Sequence, residues 1–222
     1  RVVLGARRTE KVEARVAELR EGGAEALGVT LDVRDADSIR ECLATAEEAF
    51  GPIDVVINNA GVEAGAKTYA MIDEDDWDFV MDTNLKGAWM MSKAYTERVV
   101  ANGQAGGNIV MVSSITDRRT IKGQFPYAVS KGAMTRMTEV MALEAAKYRI
   151  RVNALAPGVI ETPMTEATRA NPDAIGRFMA HTPMGRTGRP EELVGPVLFL
   201  ASDMSSYVTG AILPVDGGYL AA

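Results

Sequence analysis

Short apolar segments alternate with longer helical patterns along the chain, and this alternation constrains the fold more than any other feature. A strand, a helix and a second strand in succession form a parallel βαβ unit. The strands are continuous apolar runs, which is typical of sheets covered by helices on both faces. The predicted strands are Val2–Leu4, Leu27–Leu31, Val55–Asn58, Asn108–Val112, Arg151–Leu155 and Ala211–Val215. The predicted helices cover residues 9–20, 35–50, 73–101, 127–148 and 190–201. The sequence therefore predicts a doubly wound parallel α/β sheet in a single domain, residues 1–222.

Two helical segments and one loop carry further information. In residues 73–101 the apolar side chains recur on one helical face. In residues 127–148 they surround most of the helix, and such a helix is buried on both sides. We expect one side to pack on the sheet and the other on a second subunit. Residues 158–189 are rich in proline and glycine, and we interpret them as a substrate loop that carries a short helix.

Composition excludes several classes of partner. No apolar run reaches about 18 residues, so no membrane span is expected. The net charge is −6 and the basic residues are scattered, which argues against nucleic acid and anionic membranes as partners. Cys42 is the only cysteine, so we expect no intrachain disulfide and a reducing, cytoplasmic location. The lone His181 lies in no cluster of acids or thiols, so no metal site is predicted.

The most specific pattern is Tyr127-Ala-Val-Ser-Lys131, which follows Ser114 at the end of a predicted strand. Tyr127 and Lys131 lie one helical turn apart on the same face. An ammonium group beside a phenol lowers the phenol's pKa, so Tyr127 is a candidate acid and base for a carbonyl or hydroxyl oxygen. Ligands of open α/β sheets bind at the carboxyl ends of the strands, where Ser114 is expected to hydrogen-bond the same substrate oxygen.

With these residues the sequence resembles the short-chain dehydrogenases/reductases over essentially its whole length. The motifs in the family's order are Leu31-Asp32-Val33, Asn58-Asn59-Ala60-Gly61, Asn84, Ser114, Tyr127 with Lys131, Asn153, Pro157-Gly158 and Val215-Asp216-Gly217-Gly218. The resemblance implies a Rossmann-type fold, a homotetramer, and hydride exchange between a nicotinamide cofactor and a small secondary alcohol or ketone. It also implies a catalytic tetrad of Asn84, Ser114, Tyr127 and Lys131. In that tetrad Asn84 helps to hold a proton-relaying water, and Lys131 also binds the nicotinamide ribose.

Several further residues are candidate cofactor contacts. Asp32 ends a strand, where its carboxylate is suited to accept from an adenine amino group with Val33 near the ring, or else it caps the following helix. The small residues around Asn59, Ala60 and Gly61 let the backbone approach a ligand closely. The resemblance implies that the turn after the fifth predicted strand contacts the nicotinamide, through Pro157, Gly158, Ile160 and Thr162.

The choice between NADP and NAD depends on the end of the first predicted strand. An acid at this place binds the ribose 2′-hydroxyl of NAD. This chain has Ala6-Arg7-Arg8 instead, and guanidinium groups pair with a 2′-phosphate. The alternative is that both arginines are simply solvated, but cations are unfavourable at a helix N-terminus. The sequence therefore favours NADP, with Arg7 as the residue that binds its 2′-phosphate.

The substrate allows two interpretations. The sequence looks like the branch that contains sugar and sugar-acid dehydrogenases and 3-oxoacyl-carrier-protein reductases. Residues 101–108, which lead into the serine strand, contain no lysine or arginine to dock an acidic carrier protein. We therefore favour a small polar or sugar-derived substrate, with the 3-oxoacyl-carrier-protein reductase second. Arg118 and Arg119 follow the serine and either bind an anionic substrate group or are solvated.

Two interpretations of other classes are weaker. A dehalogenase-like relative that dispenses with the nicotinamide is disfavoured because Lys131 and Arg7 suit a cofactor. A protein that only senses dinucleotides is disfavoured because the tetrad is intact.

The family's glycine-rich pyrophosphate turn, which follows its first strand, does not occur in these residues. Val2–Leu4 corresponds to the family's second strand, and the family's first strand lies between it and the strand ending at Asn58. We therefore expect an upstream strand, glycine-rich turn and helix. We also expect a site that is open on the pyrophosphate side.

Overall fold

The strands all pair in parallel, as the sequence predicts. The structure, a computed structural model, describes all residues from Arg1 to Ala222. Its strands are β1 (Val2–Ala6), β2 (Ala26–Thr30), β3 (Val55–Asn58), β4 (Gly107–Val112), β5 (Ile150–Pro157) and β6 (Ile212–Val215). Each of them overlaps the strand predicted for it, and each pairing is parallel. The prediction of a parallel α/β fold is therefore confirmed.

The helices depart from the prediction in three places. They are α1 (Thr9–Glu21), α2 (Ala36–Phe50), α3 (Glu74–Met81), α4 (Gly87–Ala101), α5 (Phe125–Ala145), α6 (Glu166–Ala170), α7 (Pro172–Met179) and α8 (Val194–Ala201). The continuous helix predicted over residues 73–101 is wrong, because a π-helical turn over Asp82–Lys86 separates α3 from α4. The substrate loop holds two short helices, α6 and α7, rather than one. The helix predicted from residue 190 begins with a 3₁₀ turn, Pro190–Leu193. No helix has the length and apolar character needed to cross a membrane.

Aspartate side chains define where two helices begin. Asp35 accepts hydrogen bonds from the backbone N–H groups of Asp37 and Ser38 and so caps α2. Asp73 caps α3 by accepting from the N–H of Asp76 at 2.8 Å. A side-chain oxygen at this position satisfies donors that the helix itself leaves unpaired. Because Asp35 caps α2, the alternative in which Asp32 caps this helix is wrong.

The sheet consists of two parts. Strands β1 and β2 form one pair, and β3-β4-β5-β6 form a four-stranded sheet. The facing edges of β1 and β3 are not hydrogen-bonded to each other, and a trough of about 610 Å³ lies between the two parts. Its lining is largely apolar and includes Val3, Leu43 and Ile53.

The largest core cluster lies between the four-stranded sheet and helices α4 and α5. Ile109 and Val152, at the centre of β4 and β5, are fully buried together with Tyr95 of α4. The Tyr95 hydroxyl donates to the Asp54 carbonyl at 2.7 Å and accepts from the N–H of Asn108 at 3.2 Å. Burial raises the pKa of Tyr95 to about 12, so this phenol remains a neutral donor. Gly107 is required beside it, because a Cβ there would lie 2.3 Å from the hydroxyl oxygen.

Helix α5 has two apolar faces with different surroundings. Its inner face carries Met134 and Ala142, which are buried against the sheet. Its outer face carries Val129, Val140 and Leu143, which are exposed, Leu143 to 81%. The sheet-facing side of the predicted doubly buried helix is therefore confirmed, whereas the outer side has no cover within the single chain.

Truncating the inner face of α5 should destabilise the protein far more than truncating an exposed side chain elsewhere. Met134→Ala removes a fully buried side chain and leaves a cavity, so we expect a loss of about 2–5 kcal/mol in the free energy of unfolding. Lys11→Ala, at an exposed position of α1, is the control, with an expected loss within about 0.5 kcal/mol. Urea unfolding measures both values. An equal loss in the two variants would contradict the burial of Met134 against the sheet.

Candidate active site

The predicted site residues gather at the carboxyl edge of the four-stranded sheet. Asn59 follows β3, Ser114 follows β4, and Pro157 ends β5. Because these strands are parallel, their ends meet on one side of the sheet, where open α/β folds bind ligands. Tyr127 reaches the same edge from the first turn of α5. The structure therefore brings together side chains that are far apart in the sequence.

Ser114 and Tyr127 lie close to each other. The Ser114 hydroxyl accepts from the backbone N–H of Thr116 at 3.2 Å and begins the 3₁₀ turn Ile115–Asp117. This bond fixes the serine directly after β4. The same hydroxyl acts on the Tyr127 phenol and lowers its pKa, against the larger effect of burial. Both residues line one pocket, as expected for two groups that contact one substrate oxygen.

Lys131 is buried behind the phenol. Its Nζ donates to the Val112 carbonyl at 2.6 Å and lies 5.6 Å from the centre of the Tyr127 ring. Burial lowers the pKa of Lys131 to about 8, because the ammonium form loses its hydration. Gly61 passes close to this group, since a Cβ there would lie 3.6 Å from Nζ. Lys131 therefore joins the end of β4, the phenol and the segment after β3.

The expected lowering of the Tyr127 pKa is wrong for this structure. Burial raises the pKa of Tyr127, and the nearby Glu63 carboxylate raises it further. Lys131 lies against the ring and is bonded to the Val112 carbonyl. Its ammonium therefore does not offset the loss of hydration at the phenol oxygen. The phenol is held in its neutral form, in which it donates a proton.

Asn84 lies in the π-helical turn and is completely buried. Its Nδ2 donates to the Val62 carbonyl at 2.9 Å and to the Ser130 Oγ at 3.0 Å. Its Oδ1 accepts from the Val62 N–H at 2.8 Å. Single π turns inside α-helices are frequent at functional sites, and this one places the amide against the segment after β3. The predicted role of Asn84 in holding a water stays a prediction.

A cleft of about 720 Å³ lies between the carboxyl ends of β1 and β3. The predicted cofactor contacts that line this cleft are Arg7, Asp32, Val33, Asn59, Ala60 and Gly61. Thr83 also lines it, and the buried Thr83 hydroxyl has no hydrogen-bond partner within the protein. A polar group in this state is suited to a ligand, because leaving it unpaired is costly. The structure thus brings the first half of the predicted cofactor set into one space.

Asp32 has a partner that the sequence analysis missed. Its carboxylate accepts from the Arg34 guanidinium at 2.6 and 3.0 Å and from the Arg34 backbone N–H at 3.0 Å. These bonds lower the pKa of Asp32 to about 2. Arg34 also lies over the Phe79 ring at 5.6 Å, and Arg7 lies over the same ring at 5.9 Å. The signal for Arg34 was its position two residues after Asp32, at the edge that carries Arg7.

The second half of the predicted cofactor set lies elsewhere. Gly158 and Ile160 line a separate pocket together with Asp216. A Cβ at Gly158 would lie 2.8 Å from the Asp216 Cα, so glycine allows the loops after β5 and β6 to approach. Thr162 is bonded within its own turn, its N–H donating to the Thr165 Oγ1 at 3.3 Å. Gly158 also borders the pocket of Tyr127, whereas Ile160 and Thr162 line neither that pocket nor the cleft of Arg7.

The pocket beside Tyr127 holds about 60 Å³. Glu63, Thr116 and Gln124 border it, and the sequence analysis named none of them. They come from three separate loops, and no motif or spacing marks them. Their place is therefore visible only in the folded chain.

Three further residues that the sequence raised lie outside this pocket. Arg119 donates to the carbonyls of Tyr219 and Ala222, at 3.2 and 2.9 Å. Arg118 lies 3.8 Å from the Asp117 carboxylate, and neither arginine lines the pocket. His181 is exposed and bonded to the Arg177 carbonyl, which agrees with its interpretation as a surface residue. No group of three or more possible metal ligands occurs in the structure.

The chain is similar to known proteins over nearly its full length. The family described as "Enoyl-(Acyl carrier protein) reductase" matches residues 1–220. The 3-oxoacyl-[acyl-carrier-protein] reductase of Thermotoga maritima is 44% identical over 190 residues, which covers 85% of this chain and 74% of that protein. Galactitol 2-dehydrogenase (L-tagatose-forming) of Cereibacter sphaeroides is 39% identical over 223 residues, covering 99% and 85%.

The fold is also that of a solved relative. The crystal structure of a gluconate 5-dehydrogenase from Burkholderia cenocepacia J2315, in complex with NADP and tartrate, superposes with a TM-score of 0.93. Its sequence is 33% identical, and the match covers 99% of this chain and 86% of that one. The family match, the relatives and the motifs around Tyr127 agree. The chain therefore belongs to the short-chain dehydrogenase/reductase family.

Proposed function

We propose that the protein is an NADP-dependent oxidoreductase that interconverts a secondary alcohol and a ketone, with Tyr127 as its acid and base. The observation that carries this proposal is the position of Tyr127, Ser114 and Lys131. They lie at one strand edge, between the cleft of Arg7 and a small pocket of mixed polar and apolar lining. The favoured substrate is a small polar or sugar-derived molecule.

The cofactor supplies the hydride chemistry when it is bound. The chain's own part is to hold the substrate oxygen and to move a proton. In ketone reduction the neutral Tyr127 hydroxyl donates its proton to the oxygen as negative charge develops there. The Ser114 hydroxyl orients the same oxygen. Lys131, with a pKa of about 8, is available in both protonation states near neutral pH and so suits a place in the proton path.

The residues of the cleft fit NADP. Ala60 and Gly61 leave room for a ligand close to the backbone, and Thr83 offers an unpartnered hydroxyl. Asp32 is the one acid of the cleft lining, and Arg34 neutralises it. Arg7 and Arg8 remain as exposed cations on the adenosine side. This balance suits a 2′-phosphate better than a bare 2′-hydroxyl.

A 3-oxoacyl-carrier-protein reductase is the second candidate, and the relative from Thermotoga maritima favours it. The small pocket and the lack of basic residues in its lining favour the smaller substrate. A cofactor-independent dehalogenase-like activity is the weakest alternative, because the cofactor cleft and Lys131 would then have no role. Turnover of a panel of alcohols and ketones in both directions, with each cofactor, separates these functions.

The assembly and the location are proposals of the same kind. The outer face of α5 and the adjacent surface of α4 carry exposed or half-buried Trp89, Val129, Met137, Val140 and Leu143. An apolar surface of this extent is suited to a self-complementary contact between identical subunits. We propose a cytoplasmic homotetramer in which these helices form one interface.

Tyr127→Phe should abolish most turnover while cofactor binding persists. The change removes the donated proton and keeps the ring, so turnover should fall by about 10²–10⁴-fold. Tyr148→Phe, on an exposed tyrosine outside the site, is the control and should keep full activity. NADPH fluorescence measures binding, and absorbance of the nicotinamide measures turnover. If Tyr127→Phe keeps more than about a tenth of the activity, another group transfers the proton.

Arg7→Asp should weaken NADP binding far more than NAD binding. The substitution replaces a partner of the 2′-phosphate with a group that repels it, so the NADP/NAD preference should fall by at least about tenfold. Lys11→Asp makes the same charge change on an exposed position of α1 and serves as the control. Titration with both cofactors measures the preference. An unchanged preference in Arg7→Asp would mean that Arg7 is only solvated.

The protein should be a tetramer at micromolar concentration, and Leu143→Glu should dissociate it. A carboxylate in the middle of an apolar contact loses its hydration without gaining a partner. Multi-angle light scattering measures the mass, and Lys11→Glu is the control outside this surface. A monomer in the unmodified protein would contradict the proposed assembly.

A further inference from the structure

The pocket beside Tyr127 is rich in oxygen atoms that the reaction itself does not require. Glu63, Gln124 and Thr116 border it alongside the catalytic pair. The Gln124 Oε1 and the Thr116 Oγ1 are buried and have no hydrogen-bond partner. Thr116 is only 3% exposed, so bulk water does not satisfy its hydroxyl. Buried polar groups without partners are rare in proteins, and two in one pocket point to a ligand that supplies the missing bonds.

Glu63 is held in place by the catalytic machinery. Asn84 bonds both the N–H and the carbonyl of Val62, at 2.8 and 2.9 Å, and Glu63 is the next residue. The residue is exposed overall, and partial desolvation of its carboxyl raises its pKa. The carboxylate borders the same pocket as Tyr127 and raises the pKa of that phenol. A carboxylate at the mouth of the pocket, on the residue after one whose backbone is held, is placed to contact the substrate.

The pocket lining carries negative charge and no positive charge. No lysine, arginine or histidine lines it, and Glu63 is the one ionisable side chain besides Tyr127. Arg119, the nearest arginine in sequence that might have bound an anion, is committed to the carbonyls of Tyr219 and Ala222. A carboxylate or phosphate on the substrate would therefore meet a negative charge with no cation in the pocket lining to offset it, because Lys131 lies behind the phenol. Hydroxyl groups, in contrast, donate to these acceptors.

We propose that the pocket takes an uncharged polyol or the corresponding ketose, and that Glu63 is the residue that selects it. The carboxylate accepts from a substrate hydroxyl beyond the reacting carbon, and Gln124 and Thr116 bond neighbouring hydroxyls. The apolar Met164 and Phe178 on the pocket wall face the C–H surface that a polyol also presents. This proposal rests on the proposed oxidoreductase function and narrows its substrate class. Sugar acids and acyl thioesters are the classes that it disfavours.

The decisive experiment compares galactitol and D-gluconate, which have six carbons each and differ in charge. The measured quantity is the ratio of kcat/KM for galactitol to kcat/KM for gluconate. We expect the unmodified protein to favour galactitol by at least about tenfold, and Glu63→Gln to reduce the ratio by about 10- to 100-fold. Glu63→Gln also changes the pKa of Tyr127. This change affects the turnover of both substrates equally, so it cancels from the ratio of the two kcat/KM values. Glu48→Gln, on an exposed glutamate of α2, is the control and should leave the ratio unchanged.

A second variant and a binding measurement keep the two proposals separable. Gln124→Leu removes a hydrogen-bond acceptor without removing a charge. It should therefore lower kcat/KM for galactitol and leave kcat/KM for gluconate low. Saturation-transfer NMR measures binding of both sugars without turnover. Absence of turnover with every alcohol tested would overturn the oxidoreductase function. If the unmodified protein still binds galactitol and Glu63→Gln does not, the pocket assignment is supported all the same.

Two results would overturn the pocket assignment while leaving the function intact. The first is turnover with an unchanged ratio in Glu63→Gln. The second is a preference of the unmodified protein for gluconate.

Discussion

The amide side chain of Asn84 connects the parts of the site that the strands alone do not hold. It donates and accepts through three hydrogen bonds, two to the backbone of Val62 and one to the Ser130 hydroxyl. Val62 follows the small residues Ala60 and Gly61 in the cleft of Arg7 and precedes Glu63 of the pocket beside Tyr127, whereas Ser130 lies beside Lys131. The amide is fully buried, so each of its bonds would be costly to leave unmade. The π turn that contains Asn84 interrupts a long helix, and it brings this amide to the site.

Burial determines the protonation of the catalytic groups. Removal of water disfavours every charged form, so it raises the pKa of Tyr127 and lowers that of Lys131. Glu63 adds a negative charge that acts in the same direction on the phenol. The result is a neutral phenol beside an amine that is close to losing its proton. This state is suited to proton donation in ketone reduction.

Local patterns predicted the strands and the catalytic residues. Continuous apolar runs mark β3 and β4, and the spacing of Tyr127 and Lys131 on one helix fixes their common face. The π turn at Asp82–Lys86 was missed because the apolar period continues through it. The pairing of Asp32 with Arg34 was missed because Asp32 had a second plausible role. Pocket residues such as Glu63 left no signal in the sequence, because chain segments that are distant in sequence form the pocket. The directions of the pKa shifts were not predictable either, because they depend on burial, which follows only from the fold.

The two parts of the sheet each carry half of the cofactor cleft, so contacts between them determine its shape. Strands β1 and β2 present Arg7 and Asp32, and β3 presents the segment from Asn59. Helices α2 and α4 bridge the parts: Arg98 of α4 forms an ion pair with Glu47 of α2 and donates to the Arg40 carbonyl at 3.1 Å. Buried side chains of α2, of α4 and of the residue after β2 form a second core cluster of Leu31, Ile39, Cys42, Leu43 and Met91. The packing of α2 on α4 therefore contributes to the position of Arg7 relative to the edge that carries Tyr127.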